Sequence, residues 1–434
     1  MHFDFLKDKA ENMFACLLRN FSILYSKRGK YNAEMGLEES VAELKLMIDA
    51  FPEPSNDYDR CYQQYQCIVR KGSKVKFFCL HCAGVVMIPF FLALYALNRL
   101  LLKPSASHSA IRINFNDKFG NVWDYSALMP RELMEEFPDL KEIRQRLYLP
   151  LFDGALGMDA LKVWLGMAIR HPLKGHLNFN LLVHIMFVNR LLLLYHPKAL
   201  IVARMEMRYA SNMMTMLCER HGCELILLMH GELTLDVRTA FVRFSRMYIW
   251  DEHYRDIMLW GRSDATRYIV AKPDSVNKIT ANILAHSSCL YDICYYMTGN
   301  NAEYHDNLEV IRDALVTLAK TGLRIKIRPH PRWSDMEAVQ TLFGGFDIER
   351  ASEKSLDDSV AETRCALGMF STVLVQAFYA GKTVVLDDVS NPAYFSKLEE
   401  WQYIMLKKPH LLLSELLRRN QQTQEGVCDE HAIQ

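Results

Sequence analysis

Four side chains in the C-terminal third have the types and spacing to hold a phosphate. Arg328 and His330 lie in Ile325-Lys-Ile-Arg-Pro-His-Pro-Arg332, and Ser371 and Thr372 in Leu367-Gly-Met-Phe-Ser-Thr-Val373. An arginine can fork two hydrogen bonds onto phosphate oxygens, and an imidazole can donate to a phosphate or to a leaving oxygen. Pro329 and Pro331 remove backbone donors and stiffen the loop that aims His330, while Arg332 adds a second guanidinium. Ser371-Thr372 falls where an apolar strand gives way to an apolar helix, and free amides plus the helix dipole suit an anion there. The plainer readings are a stiff structural turn at Pro329-His-Pro331 and an ordinary N-cap at Ser371.

Group transfer to a hydroxyl also needs a base, and three residues compete for that role. His230 and Glu232 sit in His230-Gly231-Glu232 at the end of an apolar run, with Gly231 permitting close substrate approach. Asp153 lies in Phe152-Asp153-Gly154, whose Asp-Gly pair is also common turn chemistry. Asp251, Glu252 and the Asp387-Asp388 pair are weaker candidates, the last reading as solvated strand-end acids. Cys79-Leu-His-Cys82 is a CxxC without a second ligand pair at zinc spacing, so it reads as ordinary buried thiols at a strand end. No metal site is expected.

The elements that must position these residues alternate between strand and helix. Apolar runs at Val75–Leu80, Ala110–Phe115, Lys198–Arg204, Glu224–Met229, Arg246–Trp250 and Arg267–Val270 read as strands of a first unit. Tyr209–His221 reads as a helix, and Arg131–Leu194 as mainly helical. A second unit follows, with strands at Tyr291–Met297, the run into Arg328, Phe346–Glu349, Arg364–Met369 and Thr383–Leu386. Its helices are expected at Asn307–Lys320, Asp335–Phe343, Leu356–Glu362, Val373–Ala380 and Leu411–Arg419. This alternation predicts an α/β protein with two Rossmann-like domains, their parallel sheets facing across a cleft. The expected division is an N-terminal helical extension (1–72), an acceptor domain (73–275), a donor domain (276–420) and a polar tail (421–434). In the extension only helical period is legible, at Glu38–Phe51, and no chemistry.

Bulk properties narrow the function. The 51 basic and 51 acidic residues of the 434-residue chain cancel, so net charge makes no case for nucleic acid. Eleven irregularly spaced cysteines fit a reducing cytoplasm better than a disulfide framework. The opening residues carry charges where a secretory signal would be apolar. Val85–Leu97 is shorter than the ~20 residues that span a bilayer, and it is interrupted by Asn98 and Arg99. That segment therefore reads as a strand, a turn at Gly84 and a buried helix.

Together these motifs resemble the GT-B glycosyltransferases, especially bacterial capsule and lipopolysaccharide enzymes that use CMP-linked sugars. That group includes sialyltransferase-like enzymes and transferases of 3-deoxy-octulosonic acid. Its His-Pro and Ser-Ser/Thr motifs, which bind CMP, match His330-Pro331 and Ser371-Thr372. Its acidic base motif matches Phe152-Asp153-Gly154 only in part, because the first acid is missing. His230-Gly231, Ile249–Ile257 and Ile269–Pro273 are similar to the related CDP-glycerol glycerophosphotransferases, where the corresponding histidine is a candidate base. Many GT-B enzymes hold the nucleotide ribose with a glutamate on the last site helix, where this chain has Gln376.

The resemblance implies an enzyme of bacterial surface-polysaccharide synthesis. It would move a nonulosonic or 3-deoxy-ulosonic acid from a CMP-activated donor to a glycan or glycolipid hydroxyl, with inversion. It implies no cofactor, no metal and a cytoplasmic location, with peripheral association to the inner membrane left open. Alternatives are a CDP-glycerol or CDP-ribitol phosphotransferase, a UDP-sugar 2-epimerase-type isomerase and a non-catalytic sugar-binding protein.

Overall fold

The computed structural model describes residues 40–70, 73–103, 105–115, 126–145, 151–285, 289–298, 307–331 and 334–419. Arg332, most of the expected N-terminal extension and the polar tail lie outside the described residues.

Two six-stranded, wholly parallel sheets carry the chain. The first holds β1 (Ala110–Phe115), β2 (Lys141–Gln145), β3 (Ala199–Ala203), β4 (Glu224–Leu228), β5 (Arg243–Ile249) and β6 (Asp264–Val270), in the order β2-β1-β3-β4-β5-β6. The second holds β7 (Tyr291–Tyr296), β8 (Ile325–Arg328), β9 (Asp347–Ile348), β10 (Thr363–Gly368), β11 (Thr383–Leu386) and β12 (Leu411–Leu412). Its order, β9-β8-β7-β10-β11-β12, is that of a dinucleotide-binding sheet, with the winding reversing between β7 and β10.

Helices α1 (Val41–Asp49), α2 (Asp57–Val69) and α3 (Lys74–Leu101) precede the first sheet. Its connectors are α4 (Arg131–Glu136), α5 (Met158–Arg170), α6 (Gly175–Tyr195), α7 (Ala210–Arg220) and α8 (Glu252–Trp260), and α9 (Asp274–Ala285) leads onward. In the second unit the connectors are α10 (Leu308–Ala319), α11 (Met336–Phe343), α12 (Leu356–Ala361), α13 (Thr372–Tyr379) and α14 (Pro392–Glu400).

Central strands need apolar side chains on both faces because helices cover both. Ala-Leu-Ile-Val-Ala of β3 and Leu-Ile-Leu-Leu of β4 meet that demand and are buried throughout. Helix α7 stops before Gly222, whose φ of +65° is the left-handed turn that releases the chain into β4. One apolar core runs through both units. It joins Leu225, Leu227 and Tyr254 of the first to Leu374, Ala377 and Tyr403 of the second.

Polar ties fasten the same seam. Asp251 accepts from the Tyr379 hydroxyl at 2.7 Å and from Lys408 Nζ at 2.6 Å, and His253 Nε2 lies 2.6 Å from the Gln402 carbonyl. Burial alone would raise the Asp251 carboxyl, yet Lys408 and its other donors hold it below its usual range. Asp251 is thus spent on joining the units. Asp387 and Asp388 are likewise internal brackets rather than solvated acids: Asp387 is fully buried and bonds Ser390, and Asp388 bonds Ser414.

Four expectations are corrected. Val75–Leu80 is the first part of the 28-residue α3, not a strand. A six-residue apolar run fits either element, but apolar text continuing for 28 residues exceeds any ordinary strand, and Ser73 caps the helix start. Gly84 is not a turn. It is the point where α3 crosses α6, and a Cβ there would lie 2.3 Å from the Gly175 carbonyl oxygen. Asn98 does not interrupt the helix, because its side chain turns inward to donate to the Phe152 and Gly154 carbonyls. Cys79 and Cys82 are exposed on α3 rather than buried. The sequence reading also passes over β2, inside the stretch taken as mainly helical, and over α14.

Candidate functional site

His230 follows β4, in the middle of the first sheet, and Ser371 follows β10, at the winding reversal of the second. The structure brings these two strand ends together. The Glu232 amide donates to Thr372 Oγ1 at 3.1 Å, and a Cβ on Gly231 would lie 3.0 Å from the same oxygen. Glycine at 231 is what permits this approach. A hydroxyl that accepts from Glu232 keeps its own proton to donate to an anion.

Ser371 caps α13, its Oγ accepting from the Val373 amide at 3.2 Å. Thr298, at the end of β7, donates to the Phe370 carbonyl at 2.9 Å and bridges the reversal point. Hydroxyls and amides at this crevice have the makings of a phosphate site. His330 lies two residues past β8, one strand beyond β7, and its amide donates to Ser334 Oγ at 2.8 Å, so the loop is braced as the flanking prolines suggest.

His230 has a partner that sequence reading missed. Its Nδ1 lies 2.9 Å from Glu206 Oε1, and the Glu206 side chain is only 2% exposed against 19% for the histidine. Burial by itself would raise the Glu206 carboxyl, but the His230 ring, its own backbone and Arg204 hold it below its usual range. The two atoms are close enough for an ion contact, although neither completes a hydrogen bond in this arrangement.

Glu206 is itself positioned from outside the sheet. The buried Gln64 side chain of α2 donates to the Glu206 and Arg238 carbonyls, both at 2.9 Å, and accepts from Asn212. Helix α2, where no chemistry was legible, therefore braces the backbone at Glu206. Arg204, just past β3, has a φ of +60°, a left-handed conformation unusual for a side chain of this size. The readable signal was a carboxylate three residues beyond one strand beside a histidine two residues beyond its neighbour.

Glu232 has a different environment. Its Oε2 accepts from the Tyr254 hydroxyl at 2.6 Å, while Oε1 is buried with no hydrogen-bond partner. Other parts of the residue keep some solvent contact, but the carboxyl is enclosed. Burial pushes its pKa up to about 8, with Tyr254 and the Ile404 backbone pulling the other way. An enclosed acid cannot meet an acceptor hydroxyl arriving from solvent as readily as the partly open His230.

This shift carries a stability consequence. Glu232 keeps its proton in the folded state while the unfolded chain releases it near the ordinary value of 4.5. Stability must therefore fall as pH rises from about 4.5 to about 8, by an amount on the order of 4 kcal/mol. Glu232→Gln should remove this slope, raising the urea midpoint at pH 9 and changing it little at pH 5. Identical pH profiles for the two proteins would refute the assignment.

Other sequence candidates are placed elsewhere. The Arg328 guanidinium is 8% exposed, with Nη1 2.5 Å from the Glu349 carboxylate and Nη2 3.0 Å from the Lys354 carbonyl. Lys326, two residues back on the same face of β8, shares Glu349 at 2.7 Å. Both cations are thus spent on an internal network beneath the strand ends, and the expected phosphate fork of Arg328 is occupied. Gln376 is buried and donates to Ser275 Oγ at 3.0 Å, so it braces α9 rather than facing a ribose.

Asp153 is bound to Arg190 at 2.9 Å, and its neighbour Gly154 packs against the Tyr95 ring. It lies beyond β2, three strands from β4, or about 14 Å at the usual ~4.8 Å spacing. The Asp153 carboxylate is not brought to the His230–Thr372 seam. Pro331 is exposed beside His330 and makes no tie to that seam among the described residues.

Fold and site together define a protein of two parallel α/β units, with a histidine–carboxylate pair at the end of β4, next along the chain to the Glu232 amide that meets Thr372 across the seam. No family model matches the chain, and no curated protein matches its sequence. Solved structures give remote likenesses. The wall teichoic acid polymerase TagF is 11% identical with a TM-score of 0.42, over 82% of this chain and 92% of that one. The UDP-GlcNAc 2-epimerase of Methanocaldococcus jannaschii is 12% identical with a TM-score of 0.39, over 72% and 91%. The UDP-N-acetylglucosamine 2-epimerase of Rickettsia bellii is 12% identical with a TM-score of 0.39, over 67% and 81%. Superpositions of this quality leave the activity to be read from the side chains alone.

Proposed function

We propose that this protein is a transferase that moves a group from a nucleotide-activated donor to an acceptor hydroxyl, without a metal ion. The observation that carries the reading is the Glu232–Thr372 contact. It sets His230, with Glu206 behind it, beside the hydroxyl-bearing start of α13. The donor phosphate would rest on Ser371, Thr372 and the α13 amides, with His330 along the rim. Nε2 of His230 would take the acceptor proton as the donor bond breaks, and the leaving phosphate would stay with Thr372.

The donor suggested by the sequence motifs is a CMP-activated ulosonic acid, used in bacterial surface-polysaccharide synthesis. A second reading is favoured by the His230–Glu206 pair, which falls on the element resembling CDP-glycerol phosphotransferases. Product analysis separates the two, because phosphotransfer leaves a phosphodiester in the product. Conversion of a UDP-sugar with no acceptor present would instead indicate an epimerase.

Calorimetric titration with CMP, CDP, UDP and GDP tests the donor class. We expect cytidine nucleotides to bind best, and Thr372→Val to weaken them by about tenfold or more through loss of a hydrogen bond to a charged group. A clear preference for UDP or GDP would remove the cytidine donor. Unchanged affinity in Thr372→Val would remove the phosphate site.

A further inference from the structure

Helix α3 is apolar on all sides, yet only one side is covered. Gly84, Phe91 and Tyr95 are buried against the first unit, spaced to share one face. The opposite face carries Val75, Phe78, Val86, Phe90, Leu97 and Leu100, which are 46–83% exposed. In its most apolar 18-residue window only 11% of the helix is buried, against 78% for α6, the other long apolar helix among the described residues. Leu173, two residues ahead of the Gly175 crossing point, is 85% exposed. A helix without a polar face is ordinarily enclosed, and among the described residues this one lacks a cover.

Charge indicates what the cover is. The chain as a whole is balanced, but no aspartate or glutamate occurs between Asp59 and Asp117. Lys74 and Lys76 are exposed at the start of α3, and Arg99 and Lys103 at its end. A second copy is a poor fit, because two-fold packing of α3 on itself sets basic ends against basic ends in either orientation. An anionic lipid surface accepts both the apolar stripe and the cations at its ends.

The helix cannot leave the domain to cross a bilayer without breaking its ties. Gly84 abuts Gly175, the Tyr95 hydroxyl donates to the Leu151 carbonyl at 2.7 Å, and Asn98 holds two further carbonyls. We infer that α3 is a membrane-docking ridge. It lies in the plane of an anionic bilayer along about 42 Å, with the Val75–Leu100 stripe in the headgroup–acyl boundary and the protein body above. This inference is independent of the transferase reading.

Flotation of the full chain with phosphatidylcholine vesicles, with and without 30% phosphatidylglycerol, tests it. We expect binding to the anionic vesicles, weakening about fivefold for each of Lys74, Lys76, Arg99 and Lys103 replaced by glutamine. The V86D/F90D double variant should lose about a hundredfold or more in partitioning. Both positions face solvent, so its circular dichroism and melting should match the parent and separate lost docking from lost folding. No flotation of the parent, or equal flotation of a folded V86D/F90D protein, would overturn the proposal. So would a dimer by light scattering that V86D/F90D abolishes while the parent ignores vesicles.

Discussion

His230→Ala is expected to lower turnover about a thousandfold while leaving donor KM nearly unchanged. A positioned base typically contributes 10²–10⁴-fold, and in the proposed role His230 would meet the acceptor proton rather than the donor nucleotide. Glu206→Gln should fall in the same direction, by ~10²-fold. A neutral amide neither favours the Nδ1–H tautomer nor balances the imidazolium that forms. Glu206→Gln on top of His230→Ala should add almost nothing, because the carboxylate acts only through the ring. The readout is nucleotide release with donor and acceptor both present. Near-parental turnover in His230→Ala would end the base assignment, and strict additivity of the two changes would break the link between them.

Gly84→Val is expected to destabilise the fold by about 3 kcal/mol or more without altering chemistry at the seam. A Cβ at 84 would fall 2.3 Å from the Gly175 carbonyl oxygen and 2.9 Å from the His176 amide nitrogen. Both are backbone atoms, so α3 and α6 must separate along their contact. Overpacking a close crossing costs 1–3 kcal/mol, and more when backbone has to move. His176 packs into the same corner, its amide donating to His81 Nδ1 at 3.1 Å. Burial, with His81 and Lys76 nearby, lowers its own pKa to about 4, so this corner is closely enclosed. The urea midpoint measures the loss. A midpoint equal to the parent's would mean that the helices do not cross at Gly84.

These two positions show what the sequence could and could not reveal. His230 stood out because the run before it is unmistakably strand, which puts it at the carboxyl end of a sheet. Glu206 was hidden because nothing local distinguishes it. Its role arises only when β3 and β4 lie side by side and Gln64 reaches in from α2. Most strands were legible from apolar runs punctuated by glycine. The start of α3 was not, since six apolar residues satisfy helix and strand equally, and a glycine between them looks like a turn until its partner is known. The strand–helix junction at Ser371 and Thr372 was legible from an apolar strand followed by an apolar helix, and it lies where the sequence put it. Arg328 looked like a phosphate ligand because chain text cannot show which way a strand side chain points, nor that Glu349 waits on that side.

The continuous core has a consequence for how the molecule holds together in time. Tyr254 and Leu227 belong to one buried cluster with Leu374 and Tyr403 across the seam, so lifting out either sheet would bare apolar surface on the other. Severing the chain near Pro273 would leave two fragments, each with a raw apolar flank. A lesion on that shared flank should therefore be felt in both halves.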